Sequence, residues 1–294
     1  MIRITALAGA GAISFSAIFV RLADVAPATA GLFRAVYALP VLFVLTRFVG
    51  DDRSRRQRLV AISSGFLLAA DMALWHTSIG FVGAGMSTVV ANTQVLWVGI
   101  AAWIIFRERP SGTAFIVVPF VLAGVALIGG AGTDKAYGVN PALGAVLALG
   151  AGFIYAGFLL LFRAANAEQG STTGPLLDVT IGVAVAFLVG GWLDPGFSMA
   201  PEWPAHGWLI ALGAFVHTGG WLLIARALPR LPALETSVML LLQPAATIIW
   251  AGIIFDEQLS TSQWVGVAVV LIGILTAAVR GTVKPTEVDT QQDL

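Results

Sequence analysis

Two charged residues lie within long apolar stretches of the sequence, where an isolated charge is unfavourable. Arg34 lies in "AGLFRAVYALPVLF" and Asp71 in "GFLLAADMALWHTS". Such a charge costs about 2.5 kcal/mol or more unless it is paired or hydrated. A structural ion pair between Arg34 and Asp71 is therefore the first interpretation. The alternative is that the two groups bind the charged groups of a ligand, or that Asp71 carries a proton.

Amide and aromatic side chains in the other apolar stretches could bind a small, partly apolar molecule. Gln94 and Gln243 each lie about halfway along such a stretch, and an amide both donates and accepts hydrogen bonds. The alternative is an interhelical hydrogen bond, worth about 0.6 kcal/mol, and the rings could equally pack in the core. The residues predicted to bind substrate are Gln94, Gln243, Trp75, His76, Trp97, Tyr155, His217 and Trp221.

Composition indicates which class of protein holds these residues in place. Of 294 residues, 58% are hydrophobic and 11% are charged, whereas soluble domains carry about 25% charged residues. The chain is therefore predicted to be an integral membrane protein. Its net charge is +0 and it has no cysteine, so we expect no nucleic-acid partner, no disulfide and no thiolate metal site.

Ten apolar runs approach the roughly 20 residues that a helix needs to cross a bilayer. Backbone groups in lipid must bond internally, so these runs are predicted to be helices. The predicted fold class is an all-α integral membrane protein with ten transmembrane helices. The spans are residues 4–22, 28–48, 59–79, 84–106, 114–130, 140–162, 174–193, 207–227, 233–255 and 262–280.

The distribution of Lys and Arg predicts the orientation of these spans. With the N-terminus inside, thirteen Lys and Arg residues face the cytoplasm, and only Arg21 and Lys135 face outward. Both termini are therefore expected in the cytoplasm. Asp178, near the cytoplasmic end of its span, is expected to be hydrated. Glu108 and Glu257 are interpreted as turn or helix-start acids that a helix dipole stabilises, and no further role is assigned to them.

The sequence contains an internal repeat. A shift of 149 residues aligns 87–124 with 236–273, and 13 of the 38 aligned positions are identical, including Gln94 with Gln243 and Glu108 with Glu257. Each half then holds five spans, an odd number, so the second half must cross the membrane in the opposite sense. Such inverted repeats are typical of alternating-access transporters, with the binding site near the midplane. The predicted units are residues 1–131, residues 132–280 and a polar cytoplasmic tail, 281–294.

The paired segments "IIFRERPS" and "IIFDEQLS", with the apolar runs that follow them, resemble the drug/metabolite transporter superfamily. The resemblance is to its ten-helix bacterial (EamA-like) branch and covers nearly the whole chain. It implies a secondary transporter of the bacterial inner membrane. Among these carriers the chain is most similar to exporters of amino acids and related metabolites, and aromatic or other large neutral amino acids are the expected substrates. Carriage of another metabolite or a drug is the alternative.

The sequence lacks the motifs that would indicate other classes of function. The sequence has no HExxH, no G-x-S-x-G and no phosphate-binding G-x-x-x-x-G-K-[ST], so neither an intramembrane enzyme nor direct use of ATP is expected. A channel would need a continuous polar lining, and the polar residues here are scattered. We expect no cofactor and no metal. The expected partners are the lipid bilayer, a small-molecule substrate and, if Asp71 titrates, protons.

Overall fold

Helices joined by short turns make up the part of the chain that the computed structural model describes, which is residues 2–106, 112–165, 173–227 and 241–280. A 3-10 turn, Gly191–Leu193, follows α9, and a π-helical segment, Ala211–Gly220, joins α10 to α11. The α-helices are α1 (Ile2–Ser14), α2 (Ser16–Ala23), α3 (Pro27–Val49), α4 (Arg55–Val82), α5 (Ala84–Ala91), α6 (Gln94–Phe106), α7 (Gly112–Ile128), α8 (Pro141–Ala165), α9 (Thr173–Gly190), α10 (Ala205–Ile210), α11 (Trp221–Ala227), α12 (Leu242–Phe255) and α13 (Thr261–Arg280).

Length and apolar composition agree with a multi-pass membrane protein. Within the described residues, 6 helical stretches are long and apolar enough to cross a membrane, and three shorter apolar helices accompany them. The predicted turn around Glu108, the start of the ninth predicted span and the tail 281–294 lie outside the described residues. The count of ten spans and their inversion stay predictions.

Two of the predicted spans are interrupted, because polar side chains bond to the backbone and compete with helix hydrogen bonds. The first is divided at Phe15, where the Ser14 hydroxyl donates to the Gly11 carbonyl at 2.6 Å. The fourth is divided at Asn92 and Thr93, and the Asn92 amide donates to the Thr88 carbonyl at 2.8 Å. The fourth predicted span is therefore two helices, whereas Ile2–Ala23 remains one helical stretch of 22 residues, long enough to cross a membrane.

The helices pack in a regular pattern of neighbours. Helix α4 lies along α8 and α9, and α3 lies along α9 and the π-helical segment. Helix α7 lies along α13, α5 packs against α12, and α1 packs against α11 and α12. These contacts leave a space at the centre of the bundle, beside the two interrupted spans.

Helices α4 and α9 cross at two glycines that allow their backbones to touch. A Cβ atom at Gly182 would lie 2.1 Å from the Ile62 carbonyl oxygen, and one at Gly65 would lie 2.3 Å from the Val179 carbonyl oxygen. Small residues at helix crossings allow such close packing in membrane proteins. The α4–α9 contact therefore depends on the absence of side chains at both positions.

We expect Gly182→Leu to lower stability by roughly 1–3 kcal/mol or more, because the new side chain must displace the α4 backbone. Gly190→Leu is the matched control, since Gly190 belongs to the same helix and a Cβ there has nothing within 4 Å. Thermal unfolding of both purified variants in detergent measures the difference. Equal midpoints for the two variants would contradict the close packing of α4 on α9.

Candidate functional site: a central cavity with two ionic clusters

A cavity of about 350 Å³ lies at the centre of the bundle. Its wall includes residues from both sides of each helix interruption: Ile13 and Ser16 around Phe15, and Ala91 and Gln94 around Asn92. A volume of this size falls within the range of small-molecule pockets, roughly 300–1,000 Å³. The apolar part of the wall comprises Ile13, Leu68, Met72, Val95, Leu159, Ile224, Leu241, Ile274 and Leu275.

Five of the eight residues predicted to bind substrate line this cavity. They lie on α4, α6, α8, α11 and α12, so residues far apart in the sequence meet at one place. The two glutamines of the repeat are both among them, at the starts of α6 and α12. Tyr155 and Trp221 lie close together, with ring centroids 6.5 Å apart. The five are Gln94, Gln243, Trp75, Tyr155 and Trp221.

The other three predicted residues, His76, Trp97 and His217, are not part of the cavity wall. His76 directs Nδ1 to the Pro27 carbonyl oxygen at 3.1 Å. Trp97 packs edge-on against Phe153, with ring centroids 5.5 Å apart. His217 is 1% exposed and contacts Arg34. Each of these three side chains was predicted to line the cavity and instead contacts a residue of a neighbouring helix.

Arg34 lines the cavity, and two hydrogen bonds to other side chains hold its guanidinium in place. Its Nε donates to His217 Nδ1 at 3.2 Å, and its Nη1 donates to the Ser16 hydroxyl at 3.1 Å. His217 Nε2 in turn lies 3.0 Å from the Thr180 hydroxyl, which donates to the Leu176 carbonyl. These bonds fix the guanidinium between α2, α3 and the π-helical segment.

Asp71 also lines the cavity and is 8% exposed. Within the described parts of the chain, its carboxylate forms neither a hydrogen bond nor an ion pair. The ion pairs found there join Arg21 to Glu257, Arg53 to Asp51, and Arg53 and Arg58 to Asp178. Arg34 and Asp71 therefore both line one cavity. The two side chains do not form the direct salt bridge that the interpretation as a structural ion pair would require.

Sequence reasoning missed three polar residues of the wall: Ser16, Thr88 and Asn92. Asn92 carried a usable signal, because a polar residue two positions before Gln94 in an apolar span marks a weak point in the helix. Ser16 had no such signal. A serine within an apolar helix commonly bonds its own backbone, as Ser14 does here.

A first ionic cluster lies at one end of the bundle, and we call it the Glu257 cluster. It comprises Glu257, Arg21, Tyr137, Ala84 and Gly85. The Glu257 carboxylate pairs with Arg21 and accepts the N–H groups of Ala84 and Gly85 at 2.7 and 3.2 Å, at the start of α5. Arg21 also donates to the Tyr137 hydroxyl at 3.1 Å. The helix dipole that stabilises Glu257 is therefore that of α5, a helix distant in sequence.

Burial dominates the electrostatics of Glu257. The side chain is 2% exposed, and desolvation raises the pKa of its carboxyl above the usual range. The N–H groups of Ala84 and Gly85 and the Arg21 charge act in the opposite direction without cancelling the rise. Burial therefore has a cost that offsets part of the attraction between the charges of this cluster.

A second ionic cluster, the Asp178 cluster, lies at the other end of α3 and comprises Asp178, Arg53, Arg58 and Asp51. Arg53 Nη2 donates to Asp178 at 2.6 Å and to Asp51 at 2.8 Å, and the bond to Arg53 lowers the pKa of Asp51. Asp178 is 0% exposed, so the expectation that it is hydrated was wrong. The turn between α3 and α4 folds over it and supplies Arg53 in place of water.

Comparison with known proteins agrees with a transport function. Residues 1–130 and 142–279 match the EamA-like transporter family. The uncharacterized transporter YwfM of Bacillus subtilis is 25% identical over 215 residues, which cover 71% of this chain and 71% of the relative. The uncharacterized transporter sll1319 of Synechocystis is 23% identical over 217 residues, which cover 73% of this chain and 64% of the relative.

The fold is shared with a protein of known crystal structure. That structure matches with a TM-score of 0.63 at 14% sequence identity, covering 95% of this chain and 96% of the other. The family match covers both predicted halves and most of the described helices. The chain belongs to the EamA-like transporter family.

Proposed function

We propose that this transporter exports amino acids, with aromatic or other large neutral ones favoured, across the bacterial inner membrane by alternating access. The single observation that carries the proposal is the central cavity, where Gln94 and Gln243 lie with Trp75, Tyr155 and Trp221. Rings can stack on an apolar side chain, and amides can bond polar groups of a ligand. Both termini are proposed to be cytoplasmic, as the excess of Lys and Arg on that side indicates.

The pattern of helix contacts supports two inverted halves. If spans 1–5 correspond to spans 6–10, a contact between spans 3 and 6 requires one between spans 8 and 1. Spans 3 and 6 (α4 and α8) are in contact, and so are spans 8 and 1 (α11 and α1). In the same way, spans 3 and 7 (α4 and α9) are in contact, and so are spans 8 and 2 (the π-helical segment and α3). Corresponding spans also pack on each other, in α3–α9, α5–α12 and α7–α13. Such a bundle can exchange the roles of its two ends.

The Glu257 cluster supports alternating access in a different way. It joins α2 and α5 of the first half to the turn before α13 in the second half. With the proposed topology this end faces outward, so the cluster holds the outer side closed. A contact that must break in every cycle should not be strongly favourable, and the burial cost of Glu257 offsets part of the attraction between its charges.

Gln243→Ala and Trp221→Ala should each raise the KM for the transported amino acid roughly three- to tenfold. The estimate follows from about 0.5–1.5 kcal/mol for an aromatic contact of Trp221 or a hydrogen bond of Gln243, and from a factor of ten per 1.4 kcal/mol. Counterflow in proteoliposomes, with a panel of amino acids, provides the measurement. Trp97→Phe is the control, since Trp97 lies outside the cavity wall. Unchanged KM values in well-folded cavity variants would contradict the proposed site.

Glu257→Ala should open the outer side of the cavity, because Arg21 and the N-terminus of α5 both lose their anionic partner. The reporter is a cysteine at Thr88, a cavity residue on α5. We expect a membrane-impermeant thiol reagent to label it several-fold faster from outside. Gln258→Ala is the matched control, since Gln258 is exposed and bonds only Asp256 among the described residues. Equal labelling rates would show that the cluster does not close this end.

The proposed topology is testable by cysteine labelling, because the native chain has no cysteine. Asp52→Cys lies in the exposed turn between α3 and α4, and Ala200→Cys lies in the exposed turn before α10. In intact cells, an impermeant reagent should label the cysteine at position 200 and leave the one at position 52 unlabelled until the cells are opened. The reverse pattern would invert the topology.

A further inference from the structure

Arg34 and Asp71 line the same cavity without forming an ion pair with each other. Both line its wall, and both are nearly buried, at 5% and 8% exposure. Arg34 is bonded to neutral groups, and the Asp71 carboxylate has no hydrogen-bond or ion-pair partner among the described residues. Two charges in an apolar site are unfavourable unless something compensates them. The cavity therefore has an anionic and a cationic group that a ligand can satisfy.

The donor and acceptor roles behind Arg34 permit only one assignment. Arg34 Nε can only donate, so His217 Nδ1 accepts, and the proton of a neutral imidazole lies on Nε2. That proton is donated to the Thr180 hydroxyl, whose own proton goes to the Leu176 carbonyl. Every group of this relay is satisfied with His217 neutral. Arg34 thus keeps its full charge and its remaining N–H donors for the cavity.

We propose that this wall of the cavity binds the main-chain groups of a free amino acid: Arg34 binds the α-carboxylate and Asp71 binds the α-ammonium. Arg matches the planar geometry of a carboxylate, and the Asp71 carboxylate can accept one or two of the three ammonium N–H groups. His217 is a positioning residue, which orients Arg34 and does not touch the ligand. The aromatic rings and amides are then left for the substrate's side chain. This inference rests on the proposed transport of amino acids.

The arrangement makes both main-chain groups of the substrate obligatory. A ligand that lacks the ammonium leaves Asp71 without a counter-charge, and one that lacks the carboxylate leaves Arg34 unpaired. A site built around polar groups rejects analogues that leave those groups unpaired, and we expect roughly 100-fold weaker binding or more. A ligand with neither charge should be rejected most strongly.

The test uses phenylalanine with two analogues, 3-phenylpropionate without the amine and phenethylamine without the carboxylate. In wild-type proteoliposomes, phenylalanine should drive counterflow, and neither analogue should compete appreciably at up to a tenfold higher concentration, where 100-fold weaker binding leaves it about one tenth as effective. The same ranking should appear as ligand-induced shifts in thermal unfolding, which need no variant. Competition by either analogue as strong as that of phenylalanine would overturn the inference.

Variants should change this ranking in opposite directions. Asp71→Asn should lose phenylalanine and tolerate 3-phenylpropionate better, whereas Arg34→Gln should lose phenylalanine and tolerate phenethylamine better. His217→Leu should raise the KM for phenylalanine at an unchanged kcat, and His217→Asn, which restores an acceptor for Arg34 Nε, should recover part of the loss. Folded variants that lose phenylalanine without any gain in competition by 3-phenylpropionate (Asp71→Asn) or phenethylamine (Arg34→Gln) would contradict the assignment.

The outcomes separate this inference from the proposed function. If the wild-type protein shows no counterflow with any amino acid of the panel, the proposed function fails and the inference fails with it. If it carries amino acids while the analogues compete equally well, the transport function stands and only the roles of Arg34 and Asp71 are overturned.

Discussion

Water is absent from the hydrocarbon core of a bilayer, and this single constraint organises the polar residues of the protein. A buried polar group there must find a partner in the protein or face a hydrated space. The charges at the two ends of the bundle meet the first condition, in the Glu257 and Asp178 clusters. At the centre, Arg34 meets it through His217 and Ser16. The Asp71 carboxylate has no such partner among the described residues and lines the central cavity instead.

Local sequence patterns predicted the membrane-spanning character and much of the cavity wall. Hydropathy depends on runs of neighbouring residues, so apolar helices could be located without knowledge of the fold. The repeat related Gln94 to Gln243, and both line the cavity. The partners of Arg34 could not be found in this way. His217 lies 183 positions away, and only the packing of the π-helical segment on α3 decides that its ring turns toward Arg34.

Both interruptions, in the first and the fourth span, border the cavity. The first span bends at Phe15 and the fourth at Asn92 and Thr93, and residues on both sides of each interruption contribute to the wall. At the second interruption, Gly152 of α8 lies so close that a Cβ would be 2.6 Å from the Ala91 carbonyl oxygen. Irregular backbone in a membrane is tolerated where protein or a cavity covers it. Here α8 covers one side and the cavity lies on the other.

The π-helical segment Ala211–Gly220 has a consequence for the evolutionary record of this family. Each of its i→i+5 bonds encloses one residue more than an α-helical bond. Removing a single residue would therefore return the segment to an α-helix and rotate His217 by about 100° around the axis. Among relatives, loss of the His217–Arg34 contact could thus be recorded as a one-residue gap in an alignment while the histidine and the arginine both remain.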